Sequence, residues 1–141
     1  MNPGPAERMP TPNSLELLID LDWDKGRESG SNGAQNTIVE HLRLLVPAEA
    51  KSAWIQAEML TWDPWLRQQK GCVGRKLLWD STRQEGVILI HWASREDWTA
   101  IPESAVTSIQ QEFETVAKQI LGLPAHSSTP FPLIYSGETS P

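Results

Sequence analysis

Two side chains, two positions apart, carry the first hint of chemistry in this chain. His41 and Arg43 lie in TIVEHLRLLV (37–46), where Ile38, Leu42, Leu44 and Val46 fall on one side and Val39, His41, Arg43 and Leu45 on the other. A histidine titrates near pH 6.5 and is suited to take a proton from a phenol- or quinol-like substrate. A guanidinium two residues away holds a carboxylate or a developing oxyanion through paired N–H donors. Their side of the segment is interrupted by polar groups, so His41 and Arg43 are the candidate catalytic pair of a cavity. The competing reading is a satisfied polar pair near a strand edge, with Glu40 next to it in sequence. A second set supplies a wall: in GVILIHWA (86–93), Ile88, Ile90 and Trp92 fall on one face and Val87, Leu89 and His91 on the other. Trp54 and Trp65 lie off the main stripe of a helix, where they line a pocket mouth or a dimer rim. For all three tryptophans the alternative is plain packing in the core or interface.

Metal chemistry is not expected. The alternation is read as setting His41 and His91 on opposite faces, and His126 sits in a Pro/Ser loop, so no two-histidine site forms. The single cysteine, Cys72, excludes a disulfide framework and a cysteine-rich zinc site. No Gly-rich phosphate loop, H-E-x-x-H or G-x-S-x-G is present. No cofactor is expected.

These residues need elements to hold them. The alternating, β-branched 37–46 is a strand, closed by Pro47. Over 48–69, Ile55, Met59, Trp62 and Leu66 repeat at helical spacing; Asp63-Pro64 interrupts the helix and Gly71 ends it. Segments 73–80 and 86–93, joined by STRQE, form a hairpin whose VILI run suits a central strand. Ser94 followed by Asp97 starts a helix. Val106, Ile109, Phe113, Val116 and Ile120 continue helical spacing to Gly122 and Pro124. FPLIY (131–135) is an edge strand because Pro132 cannot donate to a ladder. The order β-α-β-β-α-β predicts an α+β, ferredoxin-like domain over 37–136. Both helices then cover one sheet face. A second copy covering the other would make a homodimer and enclose a cavity.

The 141 residues carry a formal charge of -6 and seven tryptophans against two phenylalanines and one tyrosine. The acidic balance argues against nucleic acid as a partner. No apolar run reaches the roughly 18 residues of a membrane span. Residues 1–36 read as a flexible Pro- and Gly/Ser-rich extension, without signal-peptide character, around an acidic amphipathic segment at 14–24. That segment is a strand or turn packed loosely on the domain, or a docking peptide; 137–141 is a tail. A cytoplasmic protein is expected.

The stretches IVEHLRLLVPAE, TWDPWL, GCVGRKLLWD and VILIHWASREDWTAIP resemble antibiotic-biosynthesis-monooxygenase-like proteins, and more closely a small uncharacterised family known mainly from cyanobacteria. The resemblance spans roughly 37–136 and implies a homodimeric α+β barrel. It implies that Trp92 lines the cavity, and it places His41 where haem degraders of the superfamily carry an asparagine. The ligating histidine of those degraders is missing from TAIPESAVTSIQQEFE, so haem is disfavoured. The resulting expectation is a cofactor-independent monooxygenase acting on a phenol- or quinol-like compound. The alternative is a non-catalytic module of the same fold that binds a small apolar or aromatic ligand or another protein. Fold likeness alone does not choose between them.

Overall fold

The computed structural model describes residues 14–23 and 37–139. The linker-like stretches 1–13 and 24–36, and residues 140–141, lie outside the described residues. The chain forms an α+β structure with a five-stranded antiparallel sheet: β1 (Leu15–Asp22), β2 (Ile38–Leu45), β3 (Cys72–Asp80), β4 (Glu85–Trp92) and β5 (Leu133–Thr139). Their order across the sheet is β1-β3-β4-β2-β5. The apolar VILI strand therefore sits at the centre, and the strand after Pro132 sits at an edge.

Of the two readings of 14–24, a strand or turn on the domain or a docking peptide, the structure shows a strand over Leu15–Asp22 that joins the sheet. β1 pairs with β3 from Leu15↔Asp80 to Asp22↔Gly74, with one irregularity between Leu17 and Ile19. Its neighbours hold it at the sheet edge: Lys51 Nζ meets Glu16 Oε1 at 2.9 Å, and the Trp23 N–H donates to the Val73 carbonyl at 2.9 Å. Residues 137–139, expected to be tail, complete β5.

Register fixes the two faces. Directly opposed residues of an antiparallel pair project to the same side. Ile38↔Trp92, Glu40↔Ile90 and Leu42↔Ile88 share one face; Val39↔His91, His41↔Leu89 and Arg43↔Val87 share the other. On β3, Arg75, Leu77 and Trp79 pair with Ile90, Ile88 and Gly86 and join the first set. That set faces the helices. His41 and His91 share the open face, diagonal to each other, so the expected opposition of the two histidines does not hold. Among the described residues no group of three or more His, Cys, Asp or Glu is placed to hold a metal ion.

The helical layer begins with a short 3-10 turn (Ala48–Ala50), followed by α1 (Lys51–Leu60) and α2 (Trp62–Arg67). The break falls at Thr61, just before Pro64, whose missing N–H leaves the Leu60 carbonyl without its helical donor. The Thr61 hydroxyl donates back to the Ala57 carbonyl at 2.7 Å. The buried stripe is Ala53, Trp54, Ala57 and Glu58 rather than Ile55 and Met59, which are only half-buried. The two alanines let the helix approach the sheet closely. Trp54 is fully buried and lies over Gly86, where an added Cβ would meet its ring at 2.7 Å.

α3 (Arg95–Thr99) starts at Ser94, whose Oγ accepts from the Asp97 N–H at 3.1 Å and donates to Asp97 Oδ2 at 3.0 Å. The same carboxylate occupies the space a Cβ on Gly71 would need, and Gly71 has φ +81°. α4 (Glu103–Leu121) buries Ile109, Phe113 and Ala117 and ends on Gly122 at φ 71°. Trp54, Leu77, Trp92 and Phe113 form the centre of the core. Fully burying one such apolar side chain is worth about 1.5–3 kcal/mol. No helix of the described residues is long and apolar enough to cross a membrane.

Candidate functional site

A cavity of about 450 Å³ lies between the helix-facing side of the sheet and the helices of one chain. It is not built on the open face, where two copies were expected to enclose one. Four indoles wall it: Trp62 and Trp65 from α2, Trp92 from the end of β4, and Trp98 from α3. Trp62 and Trp65 meet edge to face, with centroids 5.6 Å apart. Leu42, Ile88 and Ile90 form the floor, and Phe131 closes one side. The inward phase of β2 and β4 explains this lining, because each contributes every second residue to it.

Several polar groups enter the apolar shell. Glu40 comes from β2, Glu58 from α1, Arg75 from β3, Gln110 and Glu114 from α4, and Thr129 from the segment before β5. Glu40 is the acidic break in the otherwise apolar row Ile38, Leu42, Leu44. The Trp92 indole N–H donates to its Oε1 at 3.1 Å. Burial pushes the Glu40 carboxyl above its ordinary value, and the Trp92 hydrogen bond pulls the other way. Glu114 Oε2 accepts from Gln110 Nε2 at 3.0 Å. The Thr129 hydroxyl is buried and has no hydrogen-bond partner.

Arg75 and Glu58 are each only 1% exposed, with Nη1 2.6 Å from Oε1. Arg75 Nε also donates to Asp63 Oδ1 at 3.3 Å, and Nη2 to the Glu58 carbonyl at 3.3 Å. This cation, the only one lining the cavity among the described residues, is already shared by two carboxylates. Burial raises the Glu58 carboxyl; Arg75 holds it down against that effect.

The candidate site of the sequence reading is split between the two faces. Trp92, Ile90, Ile88 and Trp65 line the cavity, whereas Trp54 is packed behind it over Gly86. His41 and Arg43 do not enter it. They project from the open face, because His41 pairs with Leu89 and Arg43 with Val87. Arg43 is held there by Glu85 at 2.9 Å and Asp80 at 3.6 Å, and its Nε donates to His41 Nε2 at 3.3 Å. Tyr135 meets the His41 ring edge to face at 5.1 Å. Burial, then the neighbouring guanidinium, lowers the His41 pKa. An imidazole accepting at Nε2 carries its proton on Nδ1, and this network makes His41 neutral.

Sequence reasoning passed over Glu40, Glu58 and Arg75. The first and last had a signal: each is a charged residue in phase with apolar neighbours that face the helices, Glu40 with Ile38 and Leu42, Arg75 with Leu77 and Trp79. Glu58 had none, since its partner lies 17 residues on, in a different element. Cys72 is buried and His126 exposed. No protein-family model matches the chain, and no curated protein or solved structure is significantly similar to it.

Proposed function

We propose that this chain is a cytoplasmic small-molecule-binding protein of ferredoxin-like plan. Its ligand is a small, flat, largely apolar or aromatic compound carrying one polar group. The observation that carries the reading is the 450 Å³ cavity with four indoles in its wall and the Glu40 carboxyl, braced by Trp92, among them. An apolar pocket with a few convergent polar groups is the usual form of a ligand site. Support for the ferredoxin-like plan comes from the order β3-β4-β2-β5, with helices following β2 and β4; β1 is then an addition at the edge. The resemblance read from the sequence implies a homodimer, and the open face is where a second copy would pack. There Leu17, Leu45 and Tyr135 are 52%, 43% and 47% exposed. Light scattering is expected to give a dimer, and a monomer would remove that part of the proposal.

The binding reading is tested by titrating 2-naphthalenemethanol while following tryptophan fluorescence. Saturable quenching that is lost in Trp92→Ala and Trp98→Ala is expected. Quenching insensitive to both substitutions would place the ligand elsewhere.

One observation favours turnover as a second reading. A carboxylate raised by burial in apolar surroundings has the properties of a general base, so cofactor-independent oxygenation of a phenol or quinol would pass through Glu40 rather than His41. Oxygen uptake with a panel of quinols, abolished in Glu40→Gln, would establish it. Equal rates in the two proteins would refute it.

A further inference from the structure

The charges around the cavity are unequal, and this bears on the kind of polar group the ligand carries. Glu40 and Glu114 line the cavity, and neither has a cationic partner among the described residues; their contacts are the Trp92 indole and the Gln110 amide. The one cation on the wall among the described residues, Arg75, is held by Glu58 and Asp63. An anionic ligand would therefore face two acidic side chains, and to gain a counter-ion it would have to draw Arg75 from a 2.6 Å contact that is sealed from water. The indoles point the same way, since their faces carry the negative end of the ring quadrupole and attract cations. Thr129 adds a buried hydroxyl without a partner, able to accept a hydrogen bond from an incoming N–H.

From this convergence we infer that the cavity selects organic cations, namely a flat aromatic body bearing a protonated amine. The ammonium donates to Glu40, with Glu114 and Thr129 as further acceptors lining the cavity, and the ring lies among Trp62, Trp65, Trp92 and Trp98. This rests on the reading that the cavity is the ligand site, and it sets the class of ligand within that reading. It also separates the two functional readings, because a phenolate or quinolate is the wrong charge for this wall.

The test uses the full chain and three probes that share one ring system: 2-naphthylmethylammonium, 2-naphthalenemethanol and 2-naphthoate, each measured by calorimetry at neutral pH. The ammonium is expected to bind at least about tenfold more tightly than the alcohol, with the carboxylate weakest. In Glu40→Gln, and further in Glu40→Gln/Glu114→Gln, the ammonium-to-alcohol ratio is expected to fall towards one. Equal binding of all three probes, or a preference for the carboxylate, overturns the inference and leaves the cavity reading standing. A cation preference that survives both substitutions also overturns it, since the chain's overall charge of -6 would then be the source. If none of the three binds, the cavity reading itself falls.

Discussion

Replacing Arg75 by methionine leaves the cavity wall with its volume nearly kept and the Arg75 guanidinium gone. Glu58, 1% exposed, then has no counter-ion, and Asp63 loses its only charged partner among the described contacts. A buried pair that loses one member costs about 3–5 kcal/mol. The chemistry of Glu58 sets the direction of the pH dependence. Burial already raises the Glu58 carboxyl above its ordinary value of 4.5 with Arg75 beside it, and losing the guanidinium raises it further. The sign follows from a folded-state pKa raised above the unfolded one. The penalty is absent below the ordinary value and grows as pH rises through the window. Urea unfolding followed by tryptophan fluorescence should therefore show Arg75→Met less stable than the unsubstituted chain by about 3–5 kcal/mol at pH 7. The deficit should shrink as pH falls towards 5. Should the variant fail to fold at pH 7, Glu58→Gln/Arg75→Met supplies the control and is expected to recover about 2 kcal/mol. A loss under about 1 kcal/mol at pH 7, or one that does not depend on pH, would refute the reasoning. Arg75 would then be open to solvent and available to an anionic ligand.

Three further outcomes are expected. Glu40→Gln removes a carboxyl raised by burial, so the variant should gain stability over the unsubstituted chain as pH rises above 4.5; an unchanged difference across pH 4–8 would contradict this. His41 is lowered, so its contribution is present above the ordinary value of 6.5 and lost as pH falls below it. His41→Gln should flatten the acid limb of the unfolding profile, and His91, also lowered by burial, should retain part of that slope. Gly71→Ala meets both a left-handed backbone and the Asp97 carboxylate, and thermal unfolding should register a loss of about 2 kcal/mol or more.

Much of the frame was legible because local signals and packing agree. Period-two alternation marked β2 and β4, Ser94 marked the start of α3, and Gly122 marked the end of α4. Which side of a strand meets the helices was a different matter. That depends on the parity of pairing with a neighbour, and a slip of one residue reverses every side chain. The polar side of β2 looked like a site because it carried His41 and Arg43, yet those residues are satisfied by Asp80, Glu85 and Tyr135 on the open face. The lone Glu40 in the apolar row marked the cavity side. β1 was legible as a strand or turn, but its pairing with β3 was not, since alternating leucine and carboxylate between linker-like stretches does not announce its partner strand. The buried Glu58–Arg75 pair was invisible for want of any local pattern joining a helix to a strand 17 residues on.

The central claim is that ligand enters the helix-side cavity and meets Glu40. The most direct measurement is a crystal structure of the full chain grown with 2-naphthalenemethanol. The account expects the ring among Trp62, Trp65, Trp92 and Trp98, with its hydroxyl in hydrogen-bond contact with the Glu40 carboxyl. A ligand bound instead on the open face beside His41 and Arg43, with the cavity unfilled, would contradict it.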